Sequence, residues 1–237
     1  MVLMNSDAFQ TEILEVAQSA VNYRKWLARL TFPYLGFNPL EFGSGIGDYA
    51  DEWILLGCKK ITVSEVSKSR FQTLLTRFKD NESVTPVELD ITTPSLNQGT
   101  FSAVVSLNVL EHLSDDDSAC KSAMNLLETN GLFISFLPAF PSLMSKFDIA
   151  IGHHRRYTRK SASLLLRRNG FEIEQIHYVN FIGWFAWILG MKFLRIIPSD
   201  GPSIKILDKL FIPLSSAIER RIRPPFGQSL LIVGRKV

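Results

Sequence analysis

The densest chemical pattern in the chain is Glu41-x-Gly43-x-Gly45-x-Gly47. Glycine tolerates the left-handed backbone of tight turns and lets a ligand approach the main chain closely. A helix starting behind such a loop offers unpaired N–H groups. Here an apolar run, PLEF, leads into the loop and a helix-like stretch, DYADEWILLG, leads out of it. An acid, Glu65, closes the next apolar run, KITVSE. This arrangement suits a ligand with a ribose. A dinucleotide would rest its pyrophosphate on the loop, where Glu41 would repel it. An acid at that place favours a cation. The competing reading of the glycines is a tight turn without a ligand.

A second pattern runs His153-His154-Arg155-Arg156-Tyr157, behind a loop with two prolines, LPAFPSL. Arginine can grip a phosphate or carboxylate with two donors, and histidine can take a proton from an attacking hydroxyl. His153 and His154 are therefore the candidate catalytic bases, and Arg155, Arg156 and Tyr157 the candidate acceptor contacts. In an extended segment His153, Arg155 and Tyr157 would face one side, and His154 and Arg156 the other. The competing reading is a basic surface turn that anchors the next helix. No metal site is expected, because the adjacent histidines have no carboxylate or cysteine framework near them in the sequence.

These residues need elements to hold them. PLEF, KITVSE, VTPVELD, FSAVVSLN, LFISFLP, FEIEQIHYV and SLLIVGRKV read as strands. DYADEWILLG, SKSRFQTLLTRF, DDDSACKSAMNLLETNG (stopped by Gly131) and SASLLLRRNG read as helices between them. Strands alternating with helices predict an α/β fold: a Rossmann-like, doubly wound, mostly parallel seven-stranded sheet, covered on both faces. An apolar helical insertion, 180–227, interrupts the alternation before the last strand. The expected organisation is one domain, 1–237, with an N-terminal helical cap over 1–36 and the insertion as a lid.

In register, the motifs resemble the class I S-adenosylmethionine-dependent methyltransferases, with a domain similar to types 11 and 12. LEFGSGIG resembles the nucleoside-binding motif. Glu65 matches the acid that binds both ribose hydroxyls, and Asp90 in VELDIT the acid beside the adenine amino group. VVSLNVLEHL resembles the fourth-strand motif, in which Asn108 and Val109 pass the methionine part and Glu111-His112 follow. NYRKWLARLTFPYLG resembles the capping segment, with Tyr23 and Trp26 near the cofactor. The resemblance spans roughly residues 23–179. It implies S-adenosylmethionine as cofactor, held by Tyr23, Glu41, Gly43, Ser44, Gly45, Gly47, Glu65, Val66, Asp90, Ile91, Asn108 and Val109. It gives His112 either a structural part or a place at the floor of the acceptor pocket, among the acceptor contacts. Read from the residues alone, Glu65 and Asp90 could equally be caps or loop acids, and Asn108 a cap of the following turn. The H-R-R-Y-T block resembles a subgroup found in polysaccharide and secondary-metabolite pathways, whose substrates are diverse; the expected reaction moves the methyl to an oxygen or nitrogen of a small acceptor, which can be anionic, hydrophobic, or lipid- or saccharide-linked.

Composition narrows the setting. Of 237 residues, 46% are hydrophobic and 21% charged, so the chain can bury a core. The net charge of +3 is uneven: through Leu137 there are 10 basic and 17 acidic residues, and from Pro138 there are 16 and 6. The basic second part suits an anionic partner or a membrane surface, and equally a solvated face. Cys58 and Cys120, the two cysteines, give no disulfide framework and fit a reducing cytoplasm. The N-terminus lacks a secretory pattern. FIGWFAWILGMKFLRII, residues 181–197, carries only Lys192 and Arg195 as charges. It falls short of the ~20 apolar residues that span a bilayer. It is expected either to pack on the core or to lie in a membrane interface, as would suit a lipid-linked acceptor, or to join two copies in a homodimer rather than a monomer. Two other classes stay open: a NAD(P)- or nucleotide-sugar-binding oxidoreductase, against which no Tyr-x-x-x-Lys pair is found, and a non-catalytic membrane-associated binding module. No nucleic-acid partner is expected, since the basic residues are interspersed with aliphatic stretches and no N-P-P-[YF] motif occurs.

Overall fold

Seven strands make one sheet: β1 (Pro39–Phe42), β2 (Ile61–Glu65), β3 (Val84–Glu88), β4 (Phe101–Leu107), β5 (Leu127–Pro138), β6 (Phe171–Val179) and β7 (Ser229–Lys236). Their order is β3-β2-β1-β4-β5-β7-β6. Only β7 runs antiparallel to its neighbours, β5 and β6. The computed structural model describes residues 7–189 and 201–237. Strands β1, β2 and β4 are buried along their whole length, as short apolar runs in a doubly covered sheet must be.

The pleat sends successive side chains to opposite layers. Val104, Phe133, Leu137 and Ile232 pack against α5 (Asp116–Leu126) and α7 (Arg159–Arg168) through Ala119, Ala123, Ala162 and Leu166. Ala103, Val105, Ile134, Phe136 and Val233 enter the other layer with Leu27, Trp53 and Leu74. Those three come from α2 (Val21–Thr31), α3 (Asp48–Leu56) and α4 (Lys68–Phe78). Cys58 and Cys120 are buried free thiols.

One boundary differs from the sequence reading. Helix α5 ends at Leu126, not at Gly131, because Leu127 already pairs with Phe101 across the sheet. The ladder then skips from Phe101–Leu127 to Ala103–Leu132, and Asn130 turns through the irregularity at φ 66°. Gly131 therefore lies inside β5. The stop at Gly170 after α7 follows the expected pattern, with φ 89°.

Before β1 lie α1 (Asp7–Ala17) and α2, and between β6 and β7 lie α8 (Phe181–Trp187) and α9 (Gly201–Glu219). Residues 190–200 of the apolar stretch lie outside the described residues. Among the described residues no helix is long and apolar enough to cross a membrane. Helix α9 ties the two ends of the chain together with carboxylates. Asp208 accepts from the amides at the start of α2, and Glu219 from those of Asn180 and Phe181 at the start of α8.

The strand order reverses between β1 and β4, which both pair in parallel and leave a crevice beyond their carboxyl ends. The candidate functional site opens onto that crevice.

Candidate functional site

The glycine loop leaves β1 and reaches α3. Gly43 has φ 61°, and a Cβ there would stand 2.9 Å from a Val109 methyl. Gly47 has φ 88°, and a Cβ there would meet the Phe78 ring at 2.5 Å. Gly47 precedes α3 and does not line the crevice, so its part is to seat the helix behind the loop.

Glu65, at the end of β2, braces the loop. Its Oε2 accepts from the Gly45 amide at 3.0 Å. Its Oε1 accepts from the amides of Val66 and Ser67 and from Arg70 Nη2, at 3.0, 2.9 and 3.0 Å. Glu41 is only 2% exposed, and its Oε2 has no hydrogen-bond partner. Burial pushes its carboxyl up to about 8; Ser44 opposes the shift, and the negative charges of Asp48 and Glu65 add to it. A buried carboxyl without a partner is costly unless a cation answers it.

The crevice is one continuous cavity of about 520 Å³. At one end it is lined by Val66, Leu89, Asp90 and Ile91. Asp90 is exposed there, and the Thr92 hydroxyl and amide hold its carboxyl below the usual range. In the middle come Glu41, Gly43, Ser44, Gly45, Glu65, Tyr23, Asn108 and Val109. Asn108 holds φ 54° at the end of β4, an unusual backbone for a residue with a side chain. Leu14 and Ala17 of α1 close over this part.

The far end is lined by His112, His153, Asp148, Arg156, Phe147 and Trp187. Phe147, Asp148 and Trp187 were not singled out from the sequence; the first two lie on the short helix α6 (Lys146–Ala150) and Trp187 ends α8. Burial presses the His112 imidazole down to about 4, helped by the charges of His153, His154 and Arg70. Its Nδ1 is buried without a partner. Beneath it Glu111 is wholly buried, with neither carboxylate oxygen in a hydrogen bond of good geometry. Burial drives that carboxyl up to about 8, against its own amide and the Arg156 charge.

The 153–157 segment does not alternate as expected. Tyr157 bridges to Ala139, and the His154 amide donates to the Glu111 carbonyl at 2.7 Å. Pinned from both sides, the segment presents His153 and Arg156 to the cavity. His154 is exposed and outside the lining. Tyr157 is buried in the core, where its hydroxyl donates to Asp116 Oδ2 at 2.8 Å. Arg155 pairs with Asp116 at 2.8 Å and donates to the carbonyls of Leu113 and Ser114. Arg156 grips Asp148 through Nε at 3.1 Å and Nη2 at 2.7 Å, donates to the Ala139 carbonyl, and lies 4.7 Å over the Trp187 ring. Both guanidinium groups are thus committed within the protein. That corrects their expected part as grips for an anionic acceptor, and it takes His154 and Tyr157 away from the acceptor.

His153 is held differently. Its Nδ1 lies 3.0 Å from Asp148 Oδ1, and its Nε2 lies 3.8 Å from Glu111 Oε1. The rings of His112 and His153 meet edge to face at 4.6 Å. The fold therefore supplies the carboxylate neighbour that the sequence did not reveal beside the histidines.

Residues 40–133 match the family model described as a methyltransferase domain. No curated protein matches the sequence significantly. Solved structures with this fold include the [4+2]-cyclase SpnF, at 17% identity and TM-score 0.63, covering 90% of this chain and 80% of that one. A second is an S-adenosylmethionine-dependent methyltransferase from Mesorhizobium loti, at 17% identity and TM-score 0.61, covering 89% and 96%. A third is geranyl diphosphate C-methyltransferase from Streptomyces coelicolor, solved with Mg²⁺, geranyl diphosphate and S-adenosyl-L-homocysteine. It is 10% identical with TM-score 0.65, covering 89% and 78%. Residues 40–133 thus match a methyltransferase domain, and the seven-stranded sheet has the fold of the solved methyltransferases the chain is similar to.

Proposed function

We propose that this protein transfers the methyl group of S-adenosylmethionine to an oxygen or nitrogen of a small, largely apolar acceptor. The observation that carries this reading is the single cavity that joins the Asp90 end to the His153 end. A nucleoside-bearing donor and an acceptor can meet there without a second site.

The residues present fit the cofactor. Glu41, buried with an unanswered oxygen, suits the ammonium of the methionine part, and ionises when that cation arrives. Glu65 retains acceptor capacity on Oε2, which takes one hydrogen bond, and suits the ribose hydroxyls. Asp90, Ile91 and Val66 surround the place for the base, and Tyr23, Asn108 and Val109 flank the methionine part. S-adenosylmethionine supplies an activated methyl on a sulfonium; the protein's own work is alignment and exclusion of water. An oxidoreductase reading would set a pyrophosphate against Glu41, which argues against it.

The acceptor end supports an apolar, uncharged acceptor. Phe147, Ile151 and Trp187 line it, and both nearby arginines are neutralised by carboxylates. His153 is the polar side chain that meets the acceptor, oriented by Asp148. An acceptor screen with radiolabelled cofactor, weighted toward hydroxylated aromatic and prenyl-like compounds, tests this. Turnover confined to phosphorylated or carboxylated acceptors would contradict it.

One observation favours peripheral contact with a lipid surface. Ile206, Leu210 and Leu214 are exposed at four-residue steps on α9, with Lys205 and Lys209 beside them. An outward apolar stripe with basic flanks is the composition of an interfacial helix.

A further inference from the structure

We propose that Glu111, His112 and His153 form a binding site for a divalent transition-metal ion, which holds the acceptor's oxygen at the far end of the cavity. The inference rests on the methyltransferase reading for its role, but not for its existence. One ligand atom from each residue lies within 4.8 Å of the other two. Two ligands bonded to one ion at about 2.1 Å sit roughly 3–3.5 Å apart. The 3.8 Å between His153 Nε2 and Glu111 Oε1 thus needs a closure of a few tenths of an ångström.

Three features set this cluster apart from a chance grouping. First, two of the three residues hold buried polar atoms that the protein leaves unanswered. Glu111 is fully buried with both oxygens orphaned, and His112 Nδ1 is buried and orphaned as well. Buried polar groups are otherwise paired in nearly every protein. Second, His153 is held by a carboxylate on its other nitrogen, the outer-shell arrangement that orients metal-binding imidazoles. Asp148 is in turn fixed by Arg156 and by the Ser145 amide and hydroxyl. Third, His112 and His153 line the cavity while Glu111 lies behind them. An ion among them keeps positions open toward the acceptor.

Two imidazoles and one carboxylate suit Zn²⁺, Fe²⁺ or Co²⁺ better than Mg²⁺, which prefers oxygen ligands. A hydroxyl acceptor bound to such an ion is acidified, and its proton leaves to water. The resulting oxygen forms the new C–O bond as the C–S bond of the cofactor breaks, with that electron pair staying on sulfur. His153 then acts through the ion rather than as a free base.

Co²⁺ titration of untagged, metal-stripped protein, followed by visible absorption, tests the site without any methyl transfer. The proposal expects a saturable band at one equivalent, displaced by Zn²⁺ and at least ten-fold weaker in Glu111→Gln and His153→Ala. His154→Ala, with its side chain exposed nearby, keeps the band. Binding of S-adenosylhomocysteine to Glu111→Gln and His153→Ala, at wild-type affinity, shows that both are folded. A missing band, or one that both variants keep, overturns the metal site and leaves His153 as an imidazole between two carboxyls. Metal binding without any homocysteine-nucleoside binding would instead overturn the methyltransferase reading alone.

Discussion

The Tyr23 amide donates to Asp208 Oδ1 at 2.8 Å, so the insertion before the last strand caps the helix that carries Tyr23 over the cavity. The Asn22 amide meets the other oxygen at 2.8 Å. A carboxylate there satisfies donors that a helix start leaves unpaired and meets the positive end of its dipole. Loss of such a cap costs about 1–2 kcal/mol. Asp208→Ala should therefore lower the unfolding temperature and weaken S-adenosylhomocysteine binding several-fold, with Asp208→Asn recovering part of both. Calorimetry on the two variants checks this; unchanged affinity in Asp208→Ala would separate the insertion from the cofactor site.

Glu41 makes both stability and binding depend on pH. In the folded protein its carboxyl keeps its proton up to about pH 8, whereas an unfolded glutamate loses it near pH ~4.3. Between those values the folded state binds more protons, so Glu41's contribution to stability falls as pH rises and levels off above about 8. A cation beside Glu41 favours the ionised form, so S-adenosylmethionine should bind more tightly as pH climbs from 6 towards 8. Glu41→Gln should flatten the binding profile and remove its share of the stability slope. A binding profile as steep in Glu41→Gln as in the wild type would show that another group sets it.

The two adjacent histidines should behave unlike each other. His154→Ala should keep most of the turnover, because its ring lies outside the cavity. His153→Ala should lose roughly 10²-fold or more, the scale expected when the group that holds and activates the acceptor oxygen is removed. Single-turnover rates with an accepted substrate distinguish them, and equal losses would mean that the segment acts only through its backbone.

The exposed stripe on α9 gives a separate prediction. Ile206→Ser, Leu210→Ser and Leu214→Ser combined should reduce co-sedimentation with phosphatidylglycerol vesicles while leaving S-adenosylhomocysteine affinity intact. If wild-type protein ignores such vesicles but elutes as a dimer that the triple variant breaks, the stripe serves a second copy instead.

Much of the sheet was legible because its strands are short, apolar and punctuated by turn residues, as in PLEF and FSAVVSLN. The glycine loop and Glu65 were legible because a loop between a strand and a helix fixes its own geometry within a few residues. The acceptor end was not. Alternation fails across His153–Tyr157 because contacts from Ala139 and Glu111, distant in sequence, decide which side chains turn inward. Arg156 reads as a free grip until Asp148 is placed beside it, eight residues back. Gly131 reads as a helix stop, yet the pairing of Leu127 with Phe101 ends α5 earlier. Glu111 and His153 lie 42 residues apart in sequence, so no local pattern joins them.

Isothermal titration with S-adenosylmethionine, S-adenosylhomocysteine and NAD tests the central claim most directly. The account predicts one-to-one binding of the first two, no binding of NAD, and strong weakening in both Glu65→Ala and Asp90→Ala. Binding of NAD alone, or of none of the three by folded protein, would contradict it.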